Sequence, residues 1–194
     1  ADYDQFSQEL QMIGSTDQFE YVGGLFYFDD TSKYQRTSTA LVPLAPLGET
    51  RYKMTTEAWA AYGQTTWTPG WLDDRLSFTA GLRYTEEDKD ISWNNAAQIS
   101  ALRPPVPPAE ASDNKSFDNV SGSFTVAYQA TDEINTYFRY GNGYRSGGFN
   151  GEAFNSAPFE EETIDQYEIG AKSELWDGRL RINGALYTYT YDDL

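Results

Sequence analysis

The chain has 194 residues, a formal net charge of −16, and neither cysteine nor histidine. Without these side chains it has no disulfide, no thiolate metal site and no histidine-activated nucleophile. Its 14 lysines and arginines are scattered, whereas a nucleic-acid-binding protein needs a basic stripe. We therefore predict that the protein is not an enzyme, takes no cofactor and binds no nucleic acid.

The hydropathy of the chain leaves both soluble and membrane proteins open. Mean hydropathy is −0.65, and the longest apolar run, residues 22–28, is far shorter than the roughly 20 residues of a transmembrane helix. A transmembrane β-barrel also has low mean hydropathy, because lipid-facing and lumen-facing residues alternate along each strand. The first residues lack a signal-peptide pattern, as expected for a mature protein or an internal fragment.

The N-terminal half of the chain predicts four strands, at residues 4–13, 19–28, 53–68 and 75–85. Residues 19–28 are apolar on both faces, so their orientation stays open, and Gly23-Gly24 indicates a bulge or a close backbone approach. Trp59 and Trp67 are eight residues apart and therefore share a face. The fourth strand alternates without exception and places five apolar side chains on one face: Leu76, Phe78, Ala80, Leu82 and Tyr84.

The C-terminal half predicts four more strands, at residues 117–129, at 134–140 and in the two arms of a hairpin at 161–193. A tight turn at Trp176-Asp177-Gly178-Arg179 joins the arms. Beyond Leu186 the alternation is less clear, because three tyrosines occupy the polar positions. A bulge and an interfacial aromatic position both explain these residues, which are Tyr187, Tyr189 and Tyr191.

Short and long connections alternate along the chain. Long loops are predicted at 29–52, 92–115 and 143–162, and the second contains the run RPPVPP at 103–108, whose prolines cannot donate to a sheet ladder. Strands of about 10 to 14 residues, with short turns at one end and long loops at the other, are typical of outer-membrane barrels. We therefore predict an all-β fold, an antiparallel up-and-down transmembrane β-barrel of which about eight strands are present.

Two motifs carry a resemblance to a known family: YFRYGNGYRSGGFN at 137–150 and EETIDQYEIGAKSELWDGRLRINGALYTYTYDD at 161–193. They resemble the TonB-dependent outer-membrane receptors. The segments FEYVGGLFYFDD, AWAAYGQTTWTP and RLSFTAGLRYTEEDKD fit the same pattern, so the resemblance spans nearly the whole chain. It implies a bacterial outer-membrane location, a 22-stranded barrel with an N-terminal plug domain, and energy-coupled import of a scarce nutrient such as a ferric siderophore.

The chain differs from the family in extent. It has about eight strands, no plug domain and no N-terminal segment for contacting TonB, so residues 1–194 are expected to form part of a barrel domain. The implied partners are outer-membrane lipid and lipopolysaccharide, the TonB complex through an N-terminal region, and a small-molecule nutrient. Two alternatives remain: eight strands closed into a small barrel with an adhesion or structural role, and a soluble β-sheet binding protein.

The glycine-rich loop that follows residue 143 provides the candidate ligand-binding residues. Its aromatic side chains are suited to stacking on a ligand, and its arginine is suited to pairing with an anionic group such as a siderophore carboxylate. The alternative is that the glycines only let the chain leave a strand while the aromatics anchor at the interface. The candidates are Tyr144, Arg145, Phe149, Asn150 and Phe154.

Three further sets of residues have structural interpretations. The acidic runs 86–88 and 160–162 are predicted to be a solvated rim rather than a Ca²⁺ site, because no Asp-x-Asp-x-Asn-Gly loop accompanies them, and no metal site is predicted. Charged side chains at Arg139, Glu168, Lys172 and Glu174 are predicted to face the lumen and a plug. Four tryptophans are predicted to belong to interfacial aromatic girdles: Trp59, Trp67, Trp71 and Trp176.

Overall fold

The computed structural model describes residues 1–38, 48–95, 98–100 and 103–193. No helix in these residues has the length and apolarity needed to cross a membrane. The described ranges contain ten strands: β1 (Asp2–Ser15), β2 (Phe19–Ser38), β3 (Gly48–Trp67), β4 (Leu76–Asn95), β5 (Gln98–Ser100), β6 (Arg103–Val106), β7 (Ala109–Thr131), β8 (Ile134–Arg145), β9 (Glu162–Leu175) and β10 (Leu180–Asp192).

The eight long strands form one antiparallel sheet in the order β1-β2-β3-β4-β7-β8-β9-β10, while β5 and β6 form a separate small sheet. Each long strand pairs with the long strand that follows it in sequence, so the up-and-down arrangement predicted from the alternating connections is confirmed. Among the described residues β1 and β10 do not pair with each other. The sheet therefore has two open edges, and the pairing that would close a small eight-stranded barrel is not formed.

The strands extend further from the tight turns than the sequence predicted. The pairing of β2 with β3 is unbroken from Phe19 opposite Trp67 to Ser38 opposite Gly48, and β4 pairs with β7 out to Asn95. The predicted loops at 29–52 and 92–115 are therefore wrong in extent, although Pro43 and Pro46 lie outside the described residues. The reason is that ladder hydrogen bonds form between backbone groups and need no apolar side chains.

The proline run at 103–108 is also not simply a loop, because residues 103–106 form β6. This strand pairs only with β5, and the register shifts between Gln98 and Ser100. A proline lacks an N–H but keeps its carbonyl acceptor, so it is tolerated in an edge strand of this kind. The third predicted loop, in contrast, lies between β8 and β9 as expected.

One face of the sheet is apolar and exposed. Its alternating positions include Leu25, Leu82 and Ile169, all more than half exposed. Two groups of aromatic rings bound this apolar band. Trp67 stacks with Phe19 and Phe78 near the tight turns, and eight residues away along β3 the ring of Trp59 contacts Tyr84, with centroids 5.3 Å apart. The predicted shared face of Trp59 and Trp67 is confirmed, and this face has the character of a lipid-facing barrel surface.

The opposite face is polar, as expected of a barrel lumen. The register places Arg139 opposite Glu168, and the ammonium group of Lys172 lies 5.4 Å from the ring centroid of Tyr137. The β9–β10 register is unbroken and puts Tyr187 opposite Glu168. The three C-terminal tyrosines therefore lie on the polar face without a bulge.

The orientation of β2, which the sequence left open, follows from its pairing with β3. The rings of Tyr21 and Tyr27 are exposed on the apolar face, whereas Phe26 contacts Arg83 on the polar face. The register passes Gly23-Gly24 without a shift, so the predicted bulge is absent. The alternative holds: a Cβ on Gly24 would lie 2.7 Å from the backbone carbonyl oxygen of Leu10, a close backbone approach that requires glycine.

Candidate functional site

The connection between β8 and β9, residues 146–161, folds back onto the polar face of the sheet. Its Phe149 packs against Ile91 and Trp93 of β4, and these three side chains form a buried cluster. The rings of Trp93 and Phe149 meet edge to face, with centroids 6.4 Å apart. The connection is therefore packed against the wall at the end opposite the tight turns, which is the extracellular end of an outer-membrane barrel.

Two side chains of β4 hold the backbone of this connection. Lys89 donates from Nζ to the carbonyl oxygen of Gly147 at 2.8 Å, and Trp93 donates from Nε1 to the carbonyl oxygen of Gly151 at 2.9 Å. A Cβ on Gly151 would lie 2.3 Å from the ring of Tyr52. This glycine is thus required by close approach to an aromatic ring, which gives part of the glycine-rich motif a packing role.

A local turn shapes the tip of the connection. The side-chain oxygen of Asn150 accepts from the backbone N–H of Glu152 at 3.1 Å, and its backbone carbonyl accepts from the N–H of Ala153 at 3.1 Å. Asparagine favours such turns because its short side chain satisfies a nearby backbone donor. Asn150 therefore shapes the segment that carries Phe154 back towards Trp93, where the ring centroids are 6.2 Å apart.

Charged residues fix the two ends of the connection. Lys115 pairs with Glu160 at 2.5 Å, and Lys89 pairs with Glu87 at 3.3 Å in a place where both side chains are less than one-fifth exposed. The ammonium groups of both lysines also lie over the ring of Phe117. The distance to the ring centroid is 5.7 Å for Lys89 and 5.2 Å for Lys115. The two lysines thus link the wall to both ends of the inward-folded segment.

The acidic run at 86–88 divides between the two faces of β4. Glu87 lies on the polar face, where it accepts a 2.8 Å hydrogen bond from the hydroxyl of Tyr144. Its neighbours lie on the other face, where Glu86 accepts from Tyr84 at 3.3 Å and Asp88 accepts from Ser116. In the part of the chain that the structure describes, no three acidic side chains are grouped to hold a metal ion.

The pKa of Tyr52, which lies against the inward-folded segment, is raised. Burial beside the inward-folded segment raises the pKa of Tyr52 above its usual value of 10.0, and electrostatic interactions with Tyr34 and Glu152 add to this effect. Tyr52 lies beyond the outer aromatic group and stacks on Tyr34, with centroids 4.9 Å apart. The neutral phenol is therefore the favoured form wherever the segment is packed against the wall.

The structure gives the five predicted ligand residues different environments. Phe149 is 5% exposed and belongs to the buried cluster, and Asn150 uses its side-chain oxygen within the loop. The hydroxyl of Tyr144 donates a hydrogen bond to the carboxylate of Glu87. Phe154 is 40% exposed, and the side chain of Arg145 is 78% exposed, with only a 3.8 Å contact to Glu162. Of the five, Arg145 and Phe154 have the greatest freedom to meet a ligand.

Sequence reasoning missed the wall residues that support the connection, above all Ile91, Trp93 and Tyr52. Tyr52 and Trp93 lie in stretches that were predicted to be loops, and Ile91 lies between the predicted strand at 75–85 and the predicted loop at 92–115. A signal was present: residues 83, 85, 87, 89, 91 and 93 continue the alternation of β4, and the last two are large and apolar. An apolar pair on the otherwise polar face indicates that something packs there.

Comparison with known proteins identifies the family. A family model described as "TonB dependent receptor-like, beta-barrel" matches residues 1–194. The chain belongs to the TonB-dependent receptor family. This is a family of outer-membrane receptors, and the predicted fold, outer-membrane location and class of protein are thereby confirmed.

Individual relatives resemble the chain in sequence, and solved structures resemble it in fold. The pesticin receptors of Yersinia enterocolitica and Yersinia pestis are 28% identical to this chain over 98% of its length, which corresponds to 27% of those proteins. The crystal structure of the ferric yersiniabactin uptake receptor FyuA from Yersinia pestis superposes with a TM-score of 0.83 at 23% identity, over 99% of this chain and 29% of that one. For the open form of the ferric-catecholate import receptor Fiu from E. coli K12 the TM-score is 0.73 at 14% identity, over 98% and 31% of the two chains.

Proposed function

We propose that these residues are part of the barrel wall of a receptor that imports a ferric siderophore across the bacterial outer membrane. The family assignment over the whole chain supports this proposal, as do relatives named as receptors for pesticin, for ferric yersiniabactin and for ferric catecholates. The chain spans between one-quarter and one-third of the length of these relatives. Other parts of the polypeptide would supply the plug and the remaining strands of a 22-stranded barrel.

The observation that carries the proposal is the inward-folded connection between β8 and β9. It covers the polar face at the end opposite the tight turns, and the buried cluster of Ile91, Trp93 and Phe149 holds it in place. A ligand that enters from outside would meet Phe154, which is suited to stacking, and Arg145, which is suited to an anionic group. Tyr144, Phe149 and Asn150 would then position this surface rather than form most of the contact.

The remaining partners follow from the two faces of the sheet. The exposed apolar band between the aromatic groups would contact outer-membrane lipid, with lipopolysaccharide at its extracellular edge. The plug would meet the charged polar face, and the TonB complex would supply energy through an N-terminal region. The work of the wall is binding and passage of the solute, without covalent chemistry by its own side chains.

Uptake of radioactive iron tests the proposal directly. The complete gene would be expressed in an iron-starved strain that lacks its own siderophore receptors, and uptake of ferric yersiniabactin and of a ferric catecholate would be measured with and without functional TonB. We expect TonB-dependent uptake of at least one of these chelates. Uptake that is equal to the empty-vector level for every ferric chelate tested would contradict the proposal.

The ligand surface is tested in the same strain. Phe154→Ala and Arg145→Gln are expected to raise the chelate concentration needed for half-maximal uptake, with receptor abundance unchanged. Arg36→Gln is a matched control, because Arg36 is similarly exposed and makes a comparable 3.5 Å contact with Glu152. Equal effects of Arg36→Gln and Arg145→Gln would leave Arg145 without a specific role.

A further inference from the structure

A polar cavity of about 320 Å³ lies on the lumen face of the sheet, between β3, β4, β7 and β8. Arg83 of β4 and Arg139 of β8 line the same cavity. Between these two strands, the β7 side chains that line the cavity on this face are Ser121 and Ser123, and Gly81 precedes Arg83 on the same face of β4. These small residues leave an open space between the strands. The guanidinium group of Arg83 lines it on one side and that of Arg139 on the other.

Arg83 is held in a defined orientation. Its Nε donates to the hydroxyl oxygen of Thr85 at 3.0 Å, and its guanidinium carbon lies 5.3 Å from the ring centroid of Phe26 and 5.8 Å from that of Tyr62. These contacts fix the planar group by a hydrogen bond and by cation–π attraction. None of the ion pairs in the described residues involves Arg83.

Arg139 is also without an ion pair in the part of the chain that the structure describes, although a carboxylate lies directly opposite. The register places it across from Glu168. That carboxylate instead accepts from the hydroxyl of Tyr137 at 2.5 Å and from Nε2 of Gln166 at 3.2 Å. Tyr137 is itself confined, because its ring covers Gly170, where a Cβ would lie 2.6 Å from the ring.

A second acidic side chain on this face also accepts a hydrogen bond from a tyrosine hydroxyl. Glu9 of β1 accepts a 2.5 Å hydrogen bond from the hydroxyl of Tyr62, which in turn accepts from Gln11 at 2.7 Å. Tyrosine hydroxyls therefore hold both Glu9 and Glu168. In a chain with a net charge of −16, neither of the two lumen-facing arginines that share this cavity makes an ion pair within the described wall.

We propose that this cavity is a carboxylate-binding site, with Arg83 and Arg139 contacting the anion from its two sides. A guanidinium group matches the geometry of a carboxylate through paired N–H donors. Arg83 is half-buried while Arg139 is exposed, and a partly desolvated cation such as Arg83 is unfavourable without a partner. The carboxylate belongs either to a solute in the lumen or to an aspartate or glutamate of another part of the polypeptide. The site lies in the wall that the proposed function assigns to a receptor, but it does not require that the solute carries iron.

Binding of a simple dicarboxylate tests the site in the complete protein, purified in detergent. Glutarate is the probe and glutaramide, of similar size and uncharged, is its control, both measured by calorimetry. We expect glutarate to bind and Arg83→Gln or Arg139→Gln to weaken it by about tenfold, the size of one charge-assisted contact. Arg181→Gln is the matched control, because Arg181 is an arginine on the same face that is already paired with Glu174.

Chemical modification distinguishes the two sources of the carboxylate. If glutarate does not bind, phenylglyoxal labelling of Arg83 and Arg139 is compared with that of the exposed Arg145. Slow labelling, together with a lower Tm of the Arg83→Gln/Arg139→Gln variant, would assign the carboxylate to the polypeptide itself. Three outcomes would overturn the proposal. The two arginines could be labelled as fast as Arg145 is, or they could be labelled slowly while the Tm of the double variant is unchanged. The third outcome is glutarate binding that survives the double substitution. Iron uptake is not used as a readout, so failure of the site and failure of the proposed function remain distinguishable.

Discussion

The indole Nε1 of Trp93 donates a 2.9 Å hydrogen bond to the carbonyl oxygen of Gly151, 58 residues later in the chain. This single contact joins β4 of the described wall to the tip of the inward-folded connection. The indole is 1% exposed, so its donor and the carbonyl acceptor have little access to water. A buried polar group that loses its partner costs more than the hydrogen bond gains.

Removing this donor is expected to release the tip of the connection. Trp93→Phe keeps an aromatic ring in the cluster but leaves the carbonyl of Gly151 unpaired, at a cost of about 1–3 kcal/mol. Hydrogen exchange of residues 148–155 should then accelerate, while exchange in β8 and β9 stays unchanged. Trp71→Phe is the control, because Trp71 is exposed in a tight turn. Unchanged exchange in Trp93→Phe would show that the hydrogen bond does not hold the tip.

Adding one methyl group at Gly151 is expected to displace the same segment by steric conflict. The new Cβ would lie 2.3 Å from the ring of Tyr52, a distance that carbon atoms do not tolerate, so either the ring or the loop must move. We expect Gly151→Ala to raise protease sensitivity in residues 146–161. Gly184→Ala is the matched control, since a Cβ there meets nothing within 4 Å. Equal resistance of the two variants would contradict the packing described for Tyr52.

Substitutions of Phe149 and Phe154 in the connection are expected to separate an effect on stability from an effect on ligand contact. Phe149→Ala removes a buried ring and should destabilise the packing of the connection by about 3–5 kcal/mol. Phe154→Ala removes a ring that is partly exposed and should cost less stability but weaken siderophore binding. Fluorescence of Trp93, which contacts both rings, reports the loss of packing, and equilibrium binding reports the ligand contact. A reversal of the two effects would reassign the binding role to Phe149.

The assignment of faces predicts opposite results for one substitution at two positions. Leu82 lies on the apolar face and is 66% exposed, so Leu82→Arg should lower the free energy of unfolding in lipid vesicles by about 2–4 kcal/mol. Gln64 lies on the polar face, and Gln64→Arg should change it by less than about 1 kcal/mol. Reversible unfolding in urea, followed by tryptophan fluorescence, measures both. A larger loss for Gln64→Arg would invert the assignment of lipid and lumen.

The packing of the connection is expected to weaken at alkaline pH through Tyr52. Its pKa is raised above 10.0 in the folded protein, chiefly by burial. A group with a raised folded pKa contributes stability that is fully present below the unfolded pKa and is lost as the pH rises through the folded value. Hydrogen exchange of residues 148–155, corrected for its intrinsic pH dependence, should therefore show extra opening above about pH 10. Tyr52→Phe should remove this extra opening, and its persistence would assign the effect to another group.

The sequence by itself determined that there are eight long strands with tight turns between them, and it assigned the two faces wherever apolar and polar residues alternate cleanly. Period-two alternation in 75–85 is enough to place Leu82 towards lipid and Arg83 towards the lumen, because successive side chains of a strand point to opposite sides. The motifs at 137–150 and 161–193 were enough to predict the family. These features are local, since each depends on residues close together in the chain.

Only the tertiary structure decided what the glycine-rich connection does. Its role depends on Trp93, Tyr52 and Lys89, and Lys89, like Trp93, is separated from its backbone partner by 58 residues. No local pattern encodes such a contact. The same holds for Arg83 and Arg139, whose shared cavity exists because the strand order brings β4, β7 and β8 side by side. Alternation fixes the direction of a side chain, but strand pairing and loop packing over long separations decide which side chains meet.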